Sequence, residues 1–397
     1  MAGEPQSSVP DGRERVRLEM QASMARRTQN AQTSQAAHPA VRAALVMATA
    51  ASGVDPMESL SVHATRLEAA AKSSSEEDLR LVALEVARDL RKLRGSTASQ
   101  AEAPTTVARE VIPSKTLTGH QDVVRCVVVV GEHIVSGSDD KALKVWEIAS
   151  GKCKATLQGH TSDVCCLAGL DDQRVISASK DKSLKVWDLA EMRCMTSYAG
   201  HKRHVTSVAV LSPDRFVSGA LDRSVKVWSV ESDKSTATLE GHQDAITCVA
   251  AISPDRAASG SADKTIRIWD VAENICLQTL EGHSHHVLGL TVVSDGRIAS
   301  ASKDKTLRLW DMTGACLQKW EQKAFVQCVT ELNPGCLVSG SSDKSLKVWS
   351  LANGHCTATL EGHSDTVLCV STGLPNYIVS GSDDCTIKIW SMEKPSV

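Results

Sequence analysis

The chain has 397 residues, 42% of them hydrophobic, and 44 Lys and Arg against 47 Asp and Glu give a formal charge of −3. That near balance excludes a partner held by bulk charge alone, whether nucleic acid or an anionic membrane surface. No run of 18 apolar residues occurs, and Ala43 to Ala51 is too short and too rich in alanine to span a bilayer.

At the N-terminus Arg13, Arg15 and Arg17 alternate with Glu4, Asp11, Glu14 and Glu19, which fits neither a secretory signal nor an acid-poor transit peptide. A cytoplasmic or nuclear location is expected. Residues 1–35 read as a disordered tail, 36–95 as a helical segment and 96–110 as a linker. The best helix is Ser75 to Arg94, where Leu79, Val82, Ala83, Val86, Leu90 and Leu93 recur at helical spacing. Ser74 with Glu77 makes a capping box, Arg91, Lys92 and Arg94 lie at the negative end of the dipole, and Gly95 stops it. Shorter helices are expected from Pro56 to about Lys72 and from Pro39 to Ala51. Self-association through Ser75 to Arg94 is one use for such a segment.

All eight Trp and all thirteen Cys follow Glu110, which puts a domain boundary near Val111 and one domain over 111–397. This domain is periodic. Trp146, Trp187, Trp228, Trp269, Trp310, Trp349 and Trp390 are spaced by 41 residues, except for 39 between Trp310 and Trp349. Ten residues before each stands Ser136, Ser177, Ser218, Ser259, Ser300, Ser339 or Ser380. Six before each stands Asp140, Asp181, Asp222, Asp263, Asp304, Asp343 or Asp384. A Gly-His pair opens six of the seven units, at His120, His160, His201, His242, His283 and His363.

Each unit reads as four short strands; in the first they lie at Val123 to Val129, from Ile134, from Leu143 and at Cys153 to Leu157. The period, the Gly-His pairs and the Trp-Asp pairs at Trp187-Asp188, Trp269-Asp270 and Trp310-Asp311 closely resemble the WD-repeat family. The resemblance covers roughly residues 112–391 and implies an all-β, seven-bladed β-propeller. Too few residues follow Trp390 for a last strand, whereas Ser114-Lys-Thr-Leu-Thr-Gly-His120 matches the fourth-strand segments ending at His242 and His363. The expected closure pairs Ile112 to Thr118 with Ile387 to Trp390.

Ser, His and Asp in one unit invite a hydrolase reading. A catalytic set needs one exposed serine and an oxyanion hole, and no enzyme needs the constellation six times with a Trp attached. The donor inventory instead closes on itself: indole N–H to Ser, Ser hydroxyl to His, His N–H to Asp. The family's structural tetrad implies the same. No catalytic residue, cofactor or metal is expected, for no Gly-rich phosphate loop or CxxC occurs. His283-Ser-His-His286 is better explained by the tetrad and its loop than by metal.

Cys126, Cys166, Cys248, Cys328 and Cys369 share one first-strand position, and Cys153, Cys194, Cys276, Cys316 and Cys356 fall in fourth strands. All ten read as small fillers in packed strands, reduced as in a cytosolic or nuclear protein. The basic residue two before every Trp, from Lys144 to Lys388, is expected to lay its stem along a neighbouring blade with its charge in water. Unit six has Trp320-Glu-Gln-Lys-Ala-Phe325 in place of Gly-His, so Asp343 lacks its histidine. It reads as a degenerate blade or as a loosened loop exposing Trp320 and Phe325 to a partner.

In the WD-repeat family the rim around the channel mouth commonly receives partner peptides. By position, the residues three and five after each His and seven before each Trp face that mouth. Arg125, Asp163, Lys180, His204, His286, Leu288, Lys303, Phe325 and Leu368 are the candidate contacts. Leu288, Phe325 and Leu368 form an apolar sector flanked by Lys303; Lys180, Lys202, Arg203 and His204 form a basic one. An apolar anchor with a charged rim suits a protein partner and a non-catalytic scaffold or adaptor, with direct nucleic-acid contact not expected. The alternatives are a ubiquitin-ligase substrate receptor and a G-protein β-like subunit. Residues 1–110 hold no Phe and no F-box-like pattern, no Trp-Asp-x-Arg docking signature occurs, and the helix lies behind a linker.

Overall fold

The computed structural model describes residues 109–111, 113–374 and 377–392. The expected tail 1–35, helical segment 36–95 and helix Ser75 to Arg94 lie outside them.

Among the described residues every regular element is a β-strand, and the strands form seven sheets, six of four antiparallel strands and one of four with a fifth, parallel strand on its edge. Blade one contains Val124–Val130, His133–Ser138, Leu143–Glu147 and Cys153–Leu157, in that order from the axis outward. The first strand of each blade touches the first strand of the next, and Val367–Leu374 of blade seven touches Val124–Val130 of blade one. The seven sheets therefore form a closed ring of the WD-repeat kind.

Burial along a blade explains the sequence pattern. His133–Ser138 is buried at all but its first residue, because both faces of a second strand meet neighbouring blades. Cys153–Leu157 is exposed or half-buried until Leu157, as suits an outer edge. Between blades the contact is so close that only a residue without a side chain fits at Gly137. A Cβ there would lie 2.6 Å from Val164 of the next blade and 2.7 Å from the Cys126 sulfur. Blade five inverts this pair, with Gly289 where the others carry Cys126 or its equivalents and Ala301 opposite it. Blade two sets Cys166 opposite Ala178, so the small partner is not glycine in every blade.

The outer strand of blade seven is Lys115–Leu117, which pairs antiparallel with Ile387–Ser391 in the register Lys115↔Ile389, Thr116↔Lys388, Leu117↔Ile387. The final residues of the expected linker, Arg109 and Glu110, lie in a further short strand. Arg109–Val111 runs parallel to Cys356–Leu360 as a fifth strand on the outer edge of blade six.

The cysteines divide by strand. Cys126 and Cys248 are buried, and burial pushes the Cys248 and Cys328 thiols up to about 12, as expected of inert spacers. The outer-strand thiols correct the expectation, since Cys153, Cys276 and Cys316 are exposed. At these three the thiol faces out from the edge strand, whereas Cys194 and Cys356 at the same position are half-buried and pack against the hydrophobic clusters, as expected.

Candidate interaction face

Seven indole N–H groups donate to seven serine hydroxyls at 2.7–2.9 Å. In six blades the histidine Nε2 lies 2.6–2.8 Å from the same hydroxyl. Its Nδ1 lies 2.7–3.0 Å from the aspartate. Both carboxylate oxygens are occupied. In blade four Asp263 Oδ2 accepts His242 Nδ1–H and the Gln243 N–H, while Oδ1 accepts the N–H and hydroxyl of Thr265. Proton positions follow: Nδ1–H donates to Asp, Nε2 accepts the serine O–H, and the serine oxygen accepts the indole.

Burial alone would raise the carboxyl groups of Asp181, Asp222, Asp263, Asp304 and Asp384. The histidine and hydroxyl donors instead hold them well below the usual carboxylate range. The seven serines are fully buried, so no approach to their hydroxyls exists. The glycine before each histidine has a packing reason: a Cβ on Gly119 would sit 3.2 Å from the Trp146 ring.

Blade six solves the same problem with other atoms. Gln322 occupies the histidine's place, and its Nε2 donates to Ser339 Oγ at 3.0 Å. Lys347 Nζ takes over the second half, reaching Asp343 Oδ2 at 2.8 Å and Gln322 Oε1 at 3.5 Å. Asp343 thus lacks a histidine but not a donor. Its side chain is 26% exposed, against 3–12% for the six histidine-bound aspartates. Trp320 corrects the exposed-loop expectation. It is 5% exposed, stands opposite Leu307 where Leu157 stands opposite Leu143, and donates its N–H to the Gly354 carbonyl at 2.8 Å. Its ring lies 6.1 Å from the Trp349 ring. Phe325 alone of the pair is exposed.

The basic residue before each Trp also departs from expectation, staying within its own blade. Lys144, Lys226 and Lys388 donate to the outer-strand hydroxyls of Thr156, Thr238 and Thr116 at 2.7–3.0 Å. Arg267 and Arg308 lie 5.9 and 5.7 Å over the rings of Trp269 and Trp310.

At the positions expected to face the mouth, the residue three after each His and the one seven before each Trp, with Gln322 counted as the histidine of blade six, are joined by a backbone hydrogen bond in every blade. Examples are Lys180 N–H to Asp163 O, Leu221 to His204, Lys303 to His286 and Ser342 to Phe325, at 2.9–3.0 Å. Arg125 is held by both oxygens of Asp139, and Lys180 Nζ by Asp163 at 2.5 Å, so two candidate charges are neutralised in place. Lys303 Nζ lies 5.5 Å over the Phe325 ring, joining the cation to the apolar sector. Leu288 and Leu368 are half-buried and His204 is exposed. The rings of His285 and His286 lie tilted with centroids 4.4 Å apart, and burial lowers the His286 pKa. Among the described residues no group of three or more His, Cys, Asp and Glu is placed to hold a metal ion.

One feature escaped the sequence. A cleft of about 500 Å³ between the loops of blades three and four is lined by Lys202, Arg203, Arg223, Leu221, Glu240 and Gln243, among others. Arg223 belongs to a set: the residue after each tetrad aspartate, from Lys141 to Cys385, is left-handed with φ of 63–75°. In six blades that residue is Lys or Arg, displayed on the rim.

The model of the WD domain, G-beta repeat, matches residues 112–147, 151–188, 192–229, 233–270, 274–311, 314–350 and 354–391. The chain belongs to that family. Among curated proteins it is similar to the F-box/WD repeat-containing protein 7 of Drosophila melanogaster, 52% identical over 58 residues, 14% of this chain and 4% of the relative. It is also similar to the ribosome biogenesis protein BOP1 homologs of Drosophila grimshawi, 53% identical over 55 residues, and Drosophila ananassae, 54% over 55 residues. Each of those matches spans 13% of this chain and 7% of the relative. The matched stretches are thus a small fraction of either partner's length. No helix among the described residues is long and apolar enough to cross a membrane.

Proposed function

We propose that the protein is a non-catalytic scaffold that receives segments of protein partners on the rim around the channel mouth. The observation that carries this reading is the closure of every tetrad. Its donors and acceptors are consumed by one another and its serines are fully buried, so recognition falls to the rim side chains. There Phe325, with Lys303 over its face, offers an aromatic anchor beside half-buried Leu288 and Leu368. Thirteen free thiols suit a reducing compartment, cytoplasm or nucleus.

Closure by the N-terminal strand belongs to the same proposal. Leu117, 3% exposed, sits among Ile387, Ile389 and Trp146 beside blade one, so this strand covers the outer edge of blade seven and part of its core. Affinity capture with the intact chain, with Phe325→Ala and with a chain beginning at Val111 tests the reading. Partners lost with Phe325→Ala support the rim; the same partners from all three reject both the rim and a role for the segment before Val111.

A further inference from the structure

We propose that the cleft between blades three and four is a binding site for an acidic segment of a protein partner. This rests on the reading that the rim receives proteins, and it names the chemistry one sector takes.

Three cations line the cleft, Lys202, Arg203 and Arg223, and among the described residues none of the three side chains has an ion pair or hydrogen bond. Three other rim cations are spent: Arg125 on Asp139, Lys180 on Asp163, Lys303 on the Phe325 ring. The carboxylate nearest to hand, Asp222, offsets one of these charges but makes no ion pair with any of the three. Its oxygens already accept from His201, the Lys202 N–H and Ser224. Glu240 is the one other acidic group on the lining, which leaves a positive excess.

Charge on the far side of the mouth sets the direction. Asp383 of blade seven is pushed up by burial and by Asp365, and Asp139 of blade one adds to it. An acidic segment is therefore favoured at blades three and four over blade seven, where Asp365 and Asp383 lie together. The cleft has the volume of a ligand pocket, roughly 300–1,000 Å³. It offers no aromatic face beyond buried His242, so it lacks the stacking platform that single-stranded nucleic acid uses.

The test measures fluorescence anisotropy of a labelled Glu-rich peptide with the full chain, at low and at physiological ionic strength. Salt-weakened binding is expected, reduced at least about tenfold by the double variant Arg203→Gln with Arg223→Asn, equivalent to roughly 1.4 kcal/mol. Asn keeps the left-handed turn at position 223. Lys182→Asn, at the same turn in blade two, is expected to leave binding within about twofold. If the double variant melts early, Arg203→Gln alone, which breaks no bond, carries the measurement. The inference is overturned if the wild-type chain ignores the peptide, if either Arg variant binds as wild type, if Lys182→Asn loses as much, or if an oligonucleotide of equal charge binds more tightly. Because this readout does not involve Phe325, its failure leaves the partner-capture result, and the broader reading, standing or falling separately.

Discussion

Blade four and blade six carry the same serine, aspartate and tryptophan and differ in what joins them. In blade four an imidazole bridges Ser259 and Asp263 with one flat ring, leaving the carboxylate 10% exposed. In blade six the bridge is made from two flexible side chains, an amide to the serine and an ammonium to the carboxylate, and the carboxylate is 26% exposed. Ordering Gln and Lys side chains costs more rotamer entropy than ordering His. The difference teaches that the fold requires the bonds and not the residue, while rigidity comes with the histidine.

The largest expected effect removes the indole. Trp228 is fully buried against Phe216 and Tyr198, whereas Trp349 is 7% exposed and backed by Trp320. Trp228→Ala is expected to cost about 3–5 kcal/mol and Trp349→Ala to lie at the lower end of that range. Denaturant midpoints compare them; a larger loss at Trp349 would break the contrast.

Next comes the hydroxyl. Ser259→Ala strands both Trp269 Nε1 and His242 Nε2 in a buried site, a cost of about 1–3 kcal/mol for each orphaned group. Ser339→Ala strands Trp349 Nε1, but half-buried Gln322 can turn to water, so roughly half that loss is expected. Equal shifts in melting temperature would show that Gln322 is held as firmly as the histidines.

The carboxylates set the acid limit. Burial tends to raise the tetrad aspartates and their donors more than offset it, so the folded values lie below the unfolded value of about 3.9. Their stabilisation is complete above that value and is lost as pH falls toward the depressed folded values. His120, lowered by burial, adds an earlier loss, because the unfolded chain protonates it below about pH 6.5 while the fold keeps it neutral. Melting curves across acid pH should show both steps. Asp304→Asn should flatten the lower one more than Asp343→Asn, whose carboxylate is already partly screened by water.

Repetition made most of this legible before any coordinates. Seven recurrences of Ser, Asp and Trp identify the blades, and the histidine spacing identifies both tetrad partners and the backbone-bonded pairs at the mouth. What stayed hidden depends on which of two partners a side chain chooses. The period gives Lys347 the same place as Lys144, yet one grips an aspartate and the other a threonine. Arg125 and Arg203 look alike as rim cations until Asp139 is found on the first and nothing on the second. Arg109–Val111 is three residues long, too short to show a pattern, and its pairing is a backbone register.

The smallest expected effect is the sharpest for the comparison. Lys347 faces Thr359 across the strands, as Lys144 faces Thr156, so blade six still holds the hydroxyl that would receive its lysine. The altered bridge then traces to Gln322 alone. Gln322→His should return Lys347 to Thr359, but the loop after Trp320 is one residue shorter than the one after Leu157, which strains the new ring. A gain below about 1 kcal/mol near neutral pH is expected, close to that of a single hydrogen bond. With it should come a new loss of melting temperature below about pH 6.5, because the buried ring is held neutral as His120 is. A variant that melts like wild type at both pH values would mean that the amide and ammonium bridge already matches the imidazole in strength, and that acid sensitivity does not follow the histidine.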